Sequence, residues 1–298
     1  MKKIGIAIVS CLIFSSCLRV DTNLYNLTDK ISEYKLDNYT GETDFVLDNS
    51  YLIQDSMIHQ FSLSSMGPED ATSVNIKAIY LGNISRIKTD TVIMYCHGNK
   101  WHMDFYWQRA KLLAHVSGKH HYGVLMIDYR GYGLSDGKPT ENGLYADVDA
   151  ALSWLKLNGL SNSRLIIYGF SMGTAPACEL TSKPRSMTPV KIILEAPFAS
   201  AAVMVNDAAA GLNMPASFFT NLKIDNAEEI KNIQQPFCWI HGTNDNFLNI
   251  NTHGEVVYKN YKGIYQEAHR ISGADHGEVP SKMGFDIYLN TLSNFIKK

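Results

Sequence analysis

A serine between two glycines is the residue best suited to do chemistry in this sequence. The pattern G-x-S-x-G occupies positions 169–173, directly after the apolar run 165–168 and before a segment with helical spacing. A sharp turn from a strand into a helix exposes such a serine at the end of the strand. Its backbone is strained, and the residues two positions away must be small because a Cβ would meet the adjacent backbone. The pattern predicts Ser171 as a nucleophile, and a glycine-rich turn without chemistry is the alternative.

A serine hydroxyl is a weak nucleophile at its own pKa, so Ser171 needs a base. Where this turn is used, the chain order is serine, then acid, then histidine. His276 lies in a glycine-flanked loop after the last predicted strand, where its imidazole would stand over the carboxyl edge of a sheet. His269 would lie inside that strand, His253 near a helix start, and His241 ahead of the acid loop, where packing is the expected role. We predict His276 as the base.

The acid partner is predicted to be Asp245, which ends the loop after the apolar run 237–240. It would accept the second ring proton of His276, fix the tautomer and stabilise the imidazolium. Asp275 is a rival, but an immediate neighbour of His276 aligns poorly with its ring. Asp225 is another, but the residues after it indicate the N-terminus of a helix with a capping box.

An oxyanion hole needs backbone N–H groups aimed at the developing charge. One is expected from Met172, the residue after the nucleophile, and the other from the loop after the apolar run 91–95. Asn99 in that loop is the predicted second donor. We expect His97 to be structural, with hydrogen bonds inside the loop that orient its backbone.

Short apolar runs alternate with helical segments over most of the chain. This order predicts a mostly parallel sheet covered by helices on both faces, with the active site at the carboxyl ends of the strands. The predicted strands are 58–63, 74–81, 91–95, 122–128, 165–168, 192–194, 237–240 and 265–271, and the principal predicted helices are 105–116, 144–157, 171–181 and 285–296.

Five motifs in this order resemble the α/β-hydrolase superfamily, and within it the serine aminopeptidase-like, lysophospholipase-like group of single-domain hydrolases. They are HGN at 97–99, DYRGYGLS at 128–135, GFSMG at 169–173, HGTND at 241–245 and DHG at 275–277. The resemblance implies an α/β-hydrolase domain over 57–298, a central sheet of about eight strands and a short helical lid at about 198–235. It also implies that Arg130 and its neighbouring glycines shape a loop beside the site and take no part in catalysis.

The lid segment contains apolar residues that would suit an acyl group, although packing onto the core explains them equally well. These residues are Met204, Val205, Met214, Phe218 and Phe219. We predict a serine hydrolase of a small-molecule carboxylic ester or thioester. An aminopeptidase or amidase on the same triad is the nearer alternative, with Glu195 as a weak candidate to hold an amine. Cofactor-free haloperoxidase chemistry uses the same triad, and a catalytically silent ligand- or partner-binding lipoprotein is an alternative of another class.

The first 17 residues have the pattern of a bacterial lipoprotein signal. Two lysines precede a short apolar run, too short to span a bilayer, which ends in Ser-Ser-Cys with Cys17 as the predicted lipidated residue. Residues 8–11, which end in Cys11, also fit the pattern, but the apolar run before them would be very short. An ordinary cleaved signal is the alternative. Residues 18–56 are predicted to be a tether and an N-terminal extension. We expect an exported protein anchored to a bacterial membrane, on the periplasmic or cell-surface side.

The charge and the cysteines of the chain bear on other kinds of function. The net charge is −2 with both signs interspersed, which argues against nucleic-acid binding. Cys96, Cys178 and Cys238 lie in apolar runs and are expected to be buried thiols, with a Cys96–Cys238 disulfide left open. Neither a metal site, an organic cofactor nor a protein partner is implied.

Overall fold

The residues that the computed structural model describes are Tyr25, 31–116, 122–208, 216–218 and 220–298. They form an eight-stranded sheet in the order β1-β2-β4-β3-β5-β6-β7-β8. β2 pairs antiparallel with β1 and β4, and every pair from β4 to β8 is parallel. The strands are β1 (Ile58–Ser65), β2 (Val74–Leu81), β3 (Thr91–Cys96), β4 (Tyr122–Asp128), β5 (Leu165–Phe170), β6 (Lys191–Glu195), β7 (Phe237–Gly242) and β8 (Gln266–Ile271). The predicted α/β-hydrolase fold is confirmed.

Helices cover both faces of this sheet. Within the described residues they are α1 (Met103–Ala114), α2 (Glu141–Leu157), α3 (Thr174–Ser182), α4 (Ala201–Ala208), α5 (Asn226–Glu229), α6 (Gly254–Asn260), α7 (Val279–Met283) and α8 (Phe285–Lys297). Buried residues of α2, α3 and α6 share one apolar cluster, and those of α1 and α8 share the other. The central strands contribute alternate side chains to both clusters, which explains their continuous apolar runs.

Two strands next to the site extend further than the sequence pattern predicts. β5 includes Gly169 and Phe170, and β7 includes His241 and Gly242. The apolar pattern ends at residue 168, but backbone pairing continues, because Gly169 pairs with Cys96 of β3 on one side and with Leu194 of β6 on the other. Backbone hydrogen bonds of this kind do not depend on the side chain. Ser171 therefore follows its strand directly.

The N-terminal extension is the name used below for residues 31–56, which run across helix α1. Asp104 of α1 accepts hydrogen bonds from the backbone N–H groups of Lys35 and Leu36, at 3.0 and 2.7 Å. The side-chain oxygen of Gln108 accepts the N–H of Leu47 at 3.1 Å. Short 3-10 turns at Leu36–Asn38 and Asn49–Tyr51, and a third beginning at the end of the extension (Asp55–Met57), lie along this path.

All three core cysteines, Cys96, Cys178 and Cys238, are buried and free, so the Cys96–Cys238 disulfide left open by the sequence does not form. Burial raises the pKa of each thiol. They pack as small apolar residues. Within the described ranges, no helix has the length and apolar character needed to cross a membrane. The predicted signal and Cys17 lie outside the described residues.

Candidate active site

Ser171 occupies the sharp turn between β5 and α3. Its φ is +52°, in the left-handed region that a serine rarely adopts. A Cβ added to Gly173 would lie 2.0 Å from the carbonyl oxygen of Cys96, and one on Gly169 would lie 2.6 Å from the carbonyl oxygen of Gly173. Both glycines are therefore required by close backbone contacts, as the spacing predicts. The strained backbone presents the Ser171 hydroxyl at the carboxyl edge of the sheet.

The structure brings Ser171, His276 and Asp245 together from three separate loops. Nε2 of His276 lies 2.9 Å from Oγ of Ser171, and Nδ1 of His276 lies 2.7 Å from Oδ2 of Asp245. A carboxylate can only accept, so Nδ1 carries the ring proton and Nε2 of the neutral ring is free to accept the serine proton. The ring of His276 packs against Phe170 and against Phe247, with centroid distances of 5.3 and 5.1 Å.

Four donors hold the carboxylate of Asp245. Its Oδ1 accepts the backbone N–H groups of Phe247 and Leu248, at 3.0 and 2.7 Å. Its Oδ2 accepts from His276 and, at 3.1 Å, from Nε2 of His241. Burial alone would raise the pKa of Asp245, but the hydrogen bonds from the two histidines outweigh it and hold that pKa well below its usual range. The carboxylate therefore stays ionised opposite His276.

His241 has a larger part in this arrangement than the packing role expected from its position. Its Nε2 also contacts the carbonyl oxygen of Leu248 at 3.0 Å, and because a carbonyl only accepts, Nε2 must carry the proton. The ring therefore donates to Asp245 and is fully buried. The position of His241 at the end of β7, four residues before Asp245, is the sequence feature that could have indicated this contact.

The rival residues have other partners. Asp275 accepts the backbone N–H groups of Asn246 and of His276, away from the imidazole. Asp225 caps helix α5 by accepting the N–H of Glu228, as the capping-box pattern predicts. His253 lies at the start of α6 and pairs with Asp207, while His269 lies within β8 and contacts Glu267.

The loop 97–100, called the His97 loop below, packs directly against Ser171. A Cβ on Gly98 would lie 3.3 Å from Cβ of Ser171, so glycine permits this close approach. Nδ1 of His97 is 2.8 Å from the carbonyl oxygen of Gly98, which agrees with the predicted hydrogen bond inside the loop. Nε2 of His97 lies 3.2 Å from Oδ1 of Asp128, a close contact rather than a well-aligned hydrogen bond.

Two tyrosines of the motif at 128–135 support the His97 loop, and sequence reasoning missed both. The hydroxyl of Tyr129 donates to the carbonyl oxygen of His97 at 2.9 Å, and that of Tyr132 donates to Oδ1 of Asn99 at 2.5 Å. Arg130 turns away and pairs with Asp147 and Asp70. The loop thus shapes the site as expected, but its tyrosines do so by direct hydrogen bonds.

A mainly apolar pocket opens beside the Ser171 hydroxyl. Most of its lining residues come from the turn after β5, the lid segment and the loop after β7, and the His97 loop and the N-terminal part of the chain add one each. They are Tyr25, Asn99, Ser171, Met172, Phe198, Ala201, Met204, Leu222, Ile224, Phe247 and Leu248. Of the predicted lid residues, Met204 lines the pocket and Val205 packs into the interior. Met214 and Phe219 lie outside the described residues, as does the side chain of Phe218. Phe247 stands at the rim with 60% of its surface exposed.

Glu195, considered above as a holder of a substrate amine, is fully buried and fully engaged. Arg109 donates to its Oε1 at 2.5 Å, and the hydroxyls of Tyr168 and Tyr288 both donate to its Oε2. Its side chain has no exposed surface. The carboxylate is thus a structural counter-ion of Arg109. Across the described part of the chain, no group of three or more His, Cys, Asp or Glu side chains is arranged to hold a metal ion.

The amino-acid sequence is similar to a family of hydrolases and to individual α/β-hydrolase proteins. The family model described as "Serine aminopeptidase, S33" matches residues 87–235, half of the chain. That range includes the His97 loop and Ser171 but ends before Asp245 and His276. The human and Xenopus laevis "Alpha/beta hydrolase domain-containing protein 17B" are each 29% identical to this chain, over alignments of 215 and 213 residues that cover 69% and 68% of this chain. The matches span 66% and 65% of those relatives, just under two thirds of their length.

Solved structures share the fold at low sequence identity. An esterase from Pyrococcus furiosus superposes with a TM-score of 0.64 at 18% identity, covering 86% of this chain and 97% of that chain. A bromoperoxidase from Bacillus anthracis gives a TM-score of 0.57 at 15% identity, with 80% of this chain and all of that one covered. These likenesses establish the architecture of the sheet and helices.

Proposed function

The chain belongs to the serine aminopeptidase, S33, family of α/β-hydrolases, and from that premise we propose that this hydrolase cleaves a carboxylic ester or thioester through an acyl-enzyme formed on Ser171. The observation that carries the proposal is the series of contacts from Asp245 through His276 to the Ser171 hydroxyl. Ser171 also lines the apolar pocket. A base within hydrogen-bond reach of the nucleophile, itself oriented by a third group, is the arrangement that activates a serine.

In the proposed reaction, Ser171 Oγ attacks the carbonyl carbon while Nε2 of His276 takes its proton. The backbone N–H groups of Asn99 and Met172 stabilise the oxyanion, and the alcohol or thiol leaves with the proton held by His276. Water then attacks the acyl-enzyme with His276 again as base, which releases the acid and restores Ser171. Asp245 stabilises the imidazolium in both steps.

The surroundings of the nucleophile favour an ester over an aminoacyl amide. A peptide N-terminus carries an ammonium group that needs a carboxylate or carbonyl partner when it is buried. The pocket residues that the structure describes include no carboxylate, and Glu195 is fully engaged with Arg109 and two tyrosines. The acyl group would instead contact apolar side chains such as Met204 and Phe198.

Hydrolysis of p-nitrophenyl acetate, butyrate and octanoate, measured beside aminoacyl p-nitroanilides on the full chain in mild detergent, tests this preference. We expect kcat/KM for the best ester to exceed that for the best anilide by on the order of 100-fold, because an unpaired ammonium would have to enter an apolar pocket. Equal or faster cleavage of the anilides would favour the aminopeptidase. Absence of both activities, together with no labelling by a fluorophosphonate probe, would favour the silent binding protein.

We also propose that the enzyme is exported and anchored through a lipid on Cys17. Eight residues of chain lead from Cys17 to Tyr25, which lines the pocket, so the anchor lies at most about 28 Å from the site. In a bacterial host we expect Cys17→Ser to move the protein from the membrane fraction to the soluble fraction or to block its maturation. Cys11→Ser, a matched change in the same segment, should leave it with the membrane. Equal membrane retention by both variants would contradict the assignment of Cys17.

A further inference from the structure

The N-terminal extension reaches two of the loops that meet at Ser171. We propose that this extension helps to hold the active site in its reactive geometry. Its Tyr34 positions the His97 loop, and its Asp44 positions the loop 273–278, called the His276 loop below. Both are positioning residues, since neither lines the pocket beside the nucleophile. The inference rests on the proposed hydrolysis at Ser171, and it assigns a role to a segment that contributes none of the reacting groups.

Tyr34 acts on Asp128, which lies at the end of β4 and has no exposed surface. Its hydroxyl donates to Oδ2 of Asp128 at 2.6 Å and accepts the backbone N–H of Leu134 at 3.1 Å. Burial and the charge of Asp128 both raise the pKa of Tyr34, so the hydroxyl remains a donor at every working pH. A buried carboxylate needs such donors to offset the loss of water.

Asp128 in turn faces His97. Its second oxygen lies 3.2 Å from Nε2 of His97, while Nδ1 of that ring is 2.8 Å from the carbonyl oxygen of Gly98. The His97 ring therefore lies between the Asp128 carboxylate and the Gly98 carbonyl, and it links the two through these contacts. The peptide bond of that carbonyl, between Gly98 and Asn99, carries the N–H of Asn99 that is proposed to stabilise the oxyanion. Tyr34 thus stands at the outer end of the contacts that fix this donor.

Asp44 acts through Arg109 on the His276 loop. Nη2 of Arg109 donates both to Oδ2 of Asp44, at 3.0 Å, and to the carbonyl oxygen of Gly277, at 3.1 Å. Asp44 also lies against Gly277, where an added Cβ would come within 2.4 Å of its Oδ1. Gly277 directly follows His276 in the chain. The carboxylate and the guanidinium together hold the backbone next to the base.

Arg109 also supports the ring of His276 through an aromatic neighbour. Its guanidinium lies 4.2 Å from the ring centre of Phe170, and that ring packs against His276. Arg109 is buried, with Asp44 and Glu195 as its two carboxylate partners. Removing one partner of a buried charge leaves it poorly compensated and shifts its other contacts. Loss of the Asp44 carboxylate should therefore shift Arg109 and, with it, the backbone of Gly277 in the His276 loop and the ring of Phe170 that packs against His276.

Next to Tyr34, the path of the N-terminal extension is fixed by the backbone conformation of Leu36 and by Asp104 of α1. Leu36 has a φ of +49°, a conformation that a leucine seldom adopts, and Asp104 of α1 holds its N–H and that of Lys35. Lys111 of α1 pairs with Asp37 a little further along. The Asp37 pair touches neither catalytic loop, so it provides a matched control for the loss of one charged contact in the same segment.

The test compares Tyr34→Phe, Asp44→Asn and the control Asp37→Asn in the full chain, with ester hydrolysis, the rate of labelling by a fluorophosphonate probe and the melting temperature as readouts. One oxyanion donor contributes a factor of about 10² to 10³ to kcat, so a displaced donor loop should lose part of it. We expect kcat to fall roughly tenfold in Tyr34→Phe and Asp44→Asn, with KM within about twofold, since the loops act on the transition state. Asp37→Asn should keep both parameters.

A double-mutant cycle between Tyr34→Phe and Asp128→Asn adds a readout that a general loss of stability would not move. If Tyr34 acts through Asp128, the two losses in kcat should be far from additive. Unchanged kcat and labelling in Tyr34→Phe and Asp44→Asn, additive losses in the cycle, or an equal loss in Asp37→Asn would overturn the proposal. An inactive wild-type chain that is not labelled would instead refute hydrolysis at Ser171, so the two failures are distinguishable.

Discussion

Replacement of Ser171 by alanine is expected to lower kcat/KM for the best ester by roughly 10⁵- to 10⁶-fold, the scale seen when a triad serine is removed from a serine hydrolase. The variant loses the atom that forms the acyl-enzyme, while the N–H donors and the pocket remain. Its melting temperature should stay close to that of the wild type, because the strained turn is fixed by Gly169, Gly173 and the strand ladders rather than by the hydroxyl. Covalent labelling by a fluorophosphonate probe should disappear.

Ser62→Ala is the control for this experiment. Ser62 is an exposed serine on β1, at the edge of the sheet, and it should retain full activity and labelling. Retention of ester hydrolysis by Ser171→Ala would exclude the acyl-enzyme on this residue. Loss of activity in both variants would point to damage that is unrelated to the nucleophile.

Asp245→Asn is expected to lower kcat by on the order of 10⁴-fold while leaving the geometry of the site nearly intact. An amide can donate as well as accept, so His276 is free to adopt the tautomer with Nε2 protonated, which cannot take the serine proton. The imidazolium also loses its counter-charge. The effect is read from kcat in steady-state hydrolysis and from the rate of probe labelling, which should fall together.

Asp275→Asn provides the matched control, because Asp275 neighbours His276 in the chain but its carboxylate binds backbone N–H groups instead of the ring. We expect less than a tenfold change in kcat for this variant. If Asp275→Asn were the more damaging of the two, the acid would be misassigned.

The lowered pKa of Asp245 also predicts how stability responds to acid. A carboxylate whose pKa is depressed on folding contributes stability above its unfolded pKa, near 3.9 for aspartate, and that contribution is lost as the pH falls through the folded value. The wild type should therefore be more stable than Asp245→Asn in urea at pH 7, and the gap should narrow below about pH 4. A gap that widened as the pH fell would contradict the ionised state of Asp245.

Local sequence was sufficient for the features that depend on short-range constraints. The elbow at 169–173 is visible because its glycines are demanded by backbone contacts within a few residues. The apolar runs identify the buried strands because both faces of a parallel sheet are covered. Chain order then selects His276 and Asp245 from their rivals, and the structure brings both to Ser171 at hydrogen-bond distances.

Only the tertiary structure decided which side chains support these residues. Tyr34 and Arg109 lie in segments with no local mark of function, and they reach the loops of the site because the N-terminal extension and α1 pack beside them. His241 belongs to the motif at 241–245, but its hydrogen bond to Asp245 is visible only in the folded chain. Glu195 is at the sheet edge in sequence terms, yet three buried donors occupy it in the fold. Arg109 contacts Asp44, 65 positions away, and Gly277, 168 positions away. Contacts over such separations leave no periodic pattern in the sequence. Local patterns in the chain therefore predicted the fold and the proposed reacting groups, whereas packing determines which side chains surround them.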